Sequence, residues 1–80
     1  MEQDSFFKKN FQKAAKLTRK EKEIIGLLAQ GMNSKEIAGH TYTSVHTVNT
    51  HRQHIHEKLA VNNIHSLLQF AEAFDLTGKR

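Results

Sequence analysis

Residues 34–59 read SKEIAGHTYTSVHTVNTHRQHIHEKL, and the division of this stretch decides the fold. Asn33, just before it, is a favoured helix N-cap with Glu36 three residues on, so a short helix is predicted with Ile37 and Ala38 facing inward. Ser44 is a second good cap, and a longer helix runs from it to about Leu59. At about 100° per residue, Val45, Val48, Ile55 and Leu59 fall on one side of that helix as its core stripe. His46, Thr50, Gln53 and Glu57 lie opposite, with Asn49 and His54 on the flanks. An ordinary solvated face carries Lys and Glu pairs. This face is uncharged through its first two turns, and its groups can both donate and accept hydrogen bonds.

Four of the six histidines lie between His46 and His56, which raises the question of a metal. His51 and His54 are one turn apart, but His46 and His56 point elsewhere, and no acidic residue completes a set. Zinc needs three or four ligands closing on one point. The segment HEKLA at His56 is not H-E-x-x-H, because its fifth residue is Ala60. No metal or other cofactor is expected.

The rest of the chain is also helical in its spacing. In LTRKEKEIIGLLAQG, Thr18 and Glu21 form a capping box, Leu17 is the staple, and Ile24, Ile25, Leu27 and Leu28 form the buried stripe. Gly31 follows where a left-handed C-cap residue is wanted. A fourth helix starts near Asn62 or Asn63 and carries Ile64, Leu67, Leu68, Ala71 and Phe74 at helical spacing. Phe7, Phe11 and Ala14 suggest an amphipathic segment from about Asp4 to Ala15. The expected organisation is therefore all-α: an amphipathic segment or linker at 1–16, a four-helix domain at 17–77 and a basic tail at 78–80.

Eighty residues allow one small domain. With no cysteine there is no disulfide framework and no thiolate metal site. No apolar run approaches the roughly 20 residues of a membrane span. The beginning, MEQDSFFKKNF, lacks the apolar core of a signal peptide, so the expected location is cytoplasmic. The net charge is +4, and seven of the twelve Lys and Arg lie within the first 22 residues, from Lys8 to Lys22. A basic small domain without a nucleophile–base pair or paired carboxylates points to nucleic acid before an enzyme.

A short helix, a tight connection through GHTYTS and a longer helix with a polar outer face make a helix-turn-helix. In that arrangement the second helix lies in the major groove of double-stranded DNA with its N-terminal residues at base edges.

The residues resemble a known family at this point. LTRKEKEIIGLLAQGMNSKEIA followed by TVNTHRQHIHEKL is similar to the LuxR-type helix-turn-helix domain, the DNA-binding output domain of many bacterial response regulators and quorum-sensing regulators. Leu17, Thr18, Glu21 and Glu23 fall in its opening motif. Gly31 stands at its helix-ending glycine, and Lys35, Glu36, Ile37 and Ala38 repeat its Lys-Glu-Ile-Ala element. Thr47, Val48 and His51 fit its Thr-Val-Lys-x-His element, and Lys58 with Leu59 closes the recognition helix in the same way.

The resemblance implies a tetrahelical fold and binding as a homodimer, usually through the fourth helix, to an inverted or direct repeat. It implies base contacts from the first turns of the recognition helix, here Asn49, Thr50 and Gln53, with His46 on the same face. Phosphate contacts are expected from Lys35, Thr43, Ser44, Thr47, Arg52 and Lys58, and dimer contacts from Phe70, Ala73 and Phe74.

This chain also departs from the family. Asn49 stands where Lys is usual, which should move the preferred base from guanine toward adenine and weaken salt-dependent affinity. Thr41 and Thr43 replace common Leu and Ile, loosening the packing under the turn, and Ile64 replaces a frequent Arg. Two alternatives remain: a sigma-factor-like domain that also touches RNA polymerase, and a protein-interaction module with little DNA binding of its own.

Overall fold

The computed structural model describes residues 12–73. Residues 12–15 are helical, and four helices follow: α1 (Arg19–Ala29), α2 (Ser34–Thr41), α3 (Val45–Leu59) and α4 (Ile64–Ala73). No strand occurs among the described residues. The last turn of the expected N-terminal segment is thus helical, and the rest of that segment, like Phe74 and the basic tail, lies outside the described residues.

The helices start where the capping side chains stand. Thr18 Oγ1 accepts from the Glu21 backbone N–H at 3.1 Å, and Glu21 Oε1 accepts from the Thr18 N–H at 2.8 Å. Asn33 and Glu36 repeat the reciprocal pair at 2.9 and 3.0 Å. Ser44 Oγ accepts from the Thr47 N–H, and Asn63 Oδ1 from the Ser66 N–H. Each cap satisfies backbone donors that a helix start leaves unpaired.

Three helices end alike. Met32 donates to Leu27 O, Thr43 to Ala38 O and Val61 to His56 O, the long closing bond of a left-handed helix stop. Gly31 fills the first stop at φ 93°, as its residue type suggests. The other two are filled by Tyr42 at φ 58° and Ala60 at φ 55°, where a side chain costs about 1–2 kcal/mol.

α1 packs against each of the other three helices, and α2 packs on α3. The core is Leu17, Ile24, Ile25, Leu27, Leu28, Ile37, Ala38, Val48, Ile55, Leu59, Leu67, Phe70 and Ala71. Three residues of the expected stripes are not in it: Leu68 is half-buried against it, and Val45 and Ile64 are each 41% exposed. Val45 and Ile64 are each the first residue of their helix, and each stripe becomes buried only one turn later, at Val48 and Leu67. Phe70, expected at a dimer contact, is 8% exposed and closes the domain's own core instead. Thr41, half-buried, compensates for its polarity by donating to Ile37 O at 2.8 Å and pairing with Thr43 Oγ1 at 3.0 Å.

Candidate nucleic-acid interface

The exposed face of α3 carries His46, Asn49, Thr50, Gln53, His54 and Glu57. Three residues, Tyr42 to Ser44, separate it from α2, so the start of α2 is brought beside the first turns of α3. The contact is made by side chains. Ser34 Oγ donates to Asn49 Oδ1 at 2.7 Å, and Arg52 Nη1 donates to Ser34 Oγ at 2.8 Å. Thr50 Oγ1 donates back to His46 O at 3.1 Å, which leaves its methyl group and its oxygen lone pairs for an outside partner. Gln53 and His46 are exposed.

The expected phosphate contacts divide into three groups. Lys35 is exposed, and its ammonium has no hydrogen bond or ion pair among the described residues. Thr43, Ser44 and Thr47 lie together at the turn, where Ser44 Oγ donates to Thr47 Oγ1 at 2.9 Å. Arg52 is half-buried and tied to Ser34, but a guanidinium has five donors, so others remain. Lys58 already has a partner within the domain. Its ammonium donates to Glu21 Oε1 at 2.7 Å, an internal partner on α1.

Burial pushes the Glu21 carboxyl up, but the hydrogen bond from Lys58, the Thr18 backbone N–H and the Lys58 charge outweigh it and hold the group below its ordinary value. The histidines do not converge. His56 Nδ1 lies 3.3 Å from Val61 O, and among the described residues no three His or acidic side chains are grouped to hold a metal ion. Two side-chain contacts have no local signal in the sequence: Ser34–Asn49–Arg52 beside this face, and Glu21–Lys58 between α1 and α3. Their partners are 15 to 37 residues apart, beyond any helical periodicity.

A capped short helix, a three-residue turn and a longer helix with an exposed polar face define a helix-turn-helix domain. Residues 15–71 match the family model of the bacterial regulatory proteins, luxR family. The chain belongs to that family and contains its DNA-binding helix-turn-helix, which places it among regulators rather than enzymes. It is 40% identical over 55 residues to the oxygen regulatory protein NreC of Staphylococcus carnosus, covering 69% of this chain and 25% of that protein. The protein of the same name from Staphylococcus aureus matches to the same extent. The chain therefore spans about a quarter of the length of these curated relatives. No solved structure gives a significant match. Among the described residues, no helix is long and apolar enough to cross a membrane.

Proposed function

We infer that the chain binds duplex DNA sequence-specifically as the output domain of a transcriptional regulator, with α3 in the major groove. His46, Asn49, Thr50 and Gln53 meet base edges. Lys35, Thr43, Ser44, Thr47 and Arg52 meet phosphates; Lys58 is left out because its ammonium already serves Glu21. The observation that carries this reading is the exposed ladder His46, Asn49, Thr50 and Gln53 along one face of α3, uncharged and rich in donors and acceptors. Two copies pair through α4, where Ile64 and Ala73 are exposed and Leu68 is half-buried, and read a repeated half-site. The chain works in the cytoplasm, where its DNA is.

The test is selection from a random duplex library, followed by titration of the winner at two salt concentrations. A repeated half-site, lost when Asn49 and Gln53 are changed to Ala, is the expected result. The second reading, a protein-interaction module, draws on the missing charge at Asn49. Phosphate contacts make affinity fall steeply with salt, so binding that ignores salt and enriches no sequence would favour the module, with RNA polymerase as one partner to try.

A further inference from the structure

Ser34 opens α2, and Asn49 lies 15 residues later, one turn into α3. In the hydrogen bond between them Ser34 Oγ is the donor and Asn49 Oδ1 the acceptor, at 2.7 Å. Arg52 offers donors only, so the Ser34 oxygen accepts from it at 2.8 Å. The same hydroxyl thus accepts from Arg52 and gives its one hydrogen to Asn49 Oδ1, the only acceptor of that amide. The amide is thus turned with its oxygen toward α2. Its two N–H donors have no partner among the described residues.

We propose that Ser34 is a positioning residue for base recognition: held by Arg52, it fixes the Asn49 amide so that Asn49 presents donors to the base edge. This rests on the DNA-reading role of α3 inferred above. Guanine presents N7 and O6 as acceptors in the major groove, adenine N7 and thymine O4. Cytosine alone presents only a donor, its N4 amino group. The base facing Asn49 is therefore any except cytosine. That differs from the preference for adenine that Asn49 suggests in isolation, which treats its oxygen and nitrogen as equally available. Without the Ser34 hydroxyl the amide is free to turn over, offer Oδ1 outward and accept from cytosine.

The experiment is library selection with the 80-residue chain and its Asn49→Ala, Ser34→Ala and Ser34→Thr variants. Asn49→Ala identifies the base position concerned, as the one where preference disappears. At that position the unaltered chain excludes cytosine. Ser34→Ala readmits it by roughly three- to tenfold, less than the full discrimination of a good base contact, while other positions keep their preferences. Ser34→Thr, which keeps a hydroxyl, retains the exclusion. An unchanged profile in Ser34→Ala, or a uniform loss at every position, overturns the proposal.

Relaxation of the Asn49 side-chain amide, measured by NMR without DNA, separates the two inferences. An amide ordered in the unaltered chain and in Ser34→Thr, and mobile in Ser34→Ala, supports positioning. Equal order in all three overturns it. Failure of the unaltered chain to enrich any sequence overturns the DNA reading, and the base-selecting role with it.

Discussion

Lys58, near the C-terminal end of the recognition helix, donates to Glu21 in the first turn of α1 across 2.7 Å, and the same carboxylate oxygen accepts from the Thr18 N–H. One oxygen thus caps α1 and anchors α3. Glu21 is 3% exposed, whereas the Lys58 side chain is 31% exposed. Removing the ammonium leaves a buried carboxylate with its cap bonds alone. Lys58→Met keeps the aliphatic stem and deletes the charge. We expect a loss of about 1–2 kcal/mol, below the range for a fully buried pair because Lys58 reaches solvent. The urea midpoint should fall with no change in the slope of the transition.

The same pair makes stability depend on pH. The folded Glu21 carboxyl sits below its ordinary value because its hydrogen bonds and the Lys58 charge outweigh burial. A carboxyl depressed by folding contributes stability above its unfolded pKa and loses it as pH falls through the folded one. In Glu21→Gln that contribution is absent at every pH. The stability gap between the unaltered chain and Glu21→Gln should therefore be widest near neutrality and close as the solution is acidified through the carboxylate range. Urea titrations across that range check it, and a gap that is constant or widens in acid would count against the assignment.

Structure that is written locally is legible in this sequence, and structure set by distant partners is not. Thr18–Glu21, Asn33–Glu36 and Ser44 act over three residues, and all three caps stand where their residue types indicated. Gly31 was legible as a helix stop because glycine tolerates positive φ. Tyr42 and Ala60 make the same stop with side chains that give no hint of it. Helical spacing marks the stripes but not their ends, and Val45 and Ile64 stay exposed at the first residue of their helices. It also could not tell an outward aromatic from an inward one, and Phe70 proved to face in. Glu21 looked like a cap and is one. Its second partner, 37 residues away, is set by how α1 and α3 cross, which no local pattern encodes.

Glycine effects separate cleanly at two positions. Gly39 lies inside α2, and a Cβ built there meets nothing within 4 Å. Gly39→Ala should stabilise the domain by about 0.5–1 kcal/mol, because alanine is the better helix former and loses less chain entropy on folding. Gly31 is equally open, but its φ of 93° disfavours a side chain. Gly31→Ala should destabilise by about 1 kcal/mol or more. Opposite shifts of the thermal midpoint are the expected result. Two shifts of the same sign would mean that free space, not backbone conformation, governs these sites.

Base contacts and phosphate contacts at α2–α3 should separate by their response to salt. Lys35 is exposed with no ionic partner among the described residues, so its charge is available to a phosphate. Lys35→Ala should weaken binding to all sequences alike and lower the slope of log affinity against log salt by about 1, the value for one phosphate contact. Gln53 is uncharged and exposed on the opposite side of α3 from the core. Gln53→Ala should leave that slope unchanged and relax preference at one base position by about 1–3 kcal/mol. Titrations on the selected site and on one unrelated duplex, at several salt concentrations, distinguish the two. If Lys35→Ala changed base preference while Gln53→Ala changed the slope, the face of α3 would be turned differently in the groove, and the assignment of base-reading residues would have to move with it.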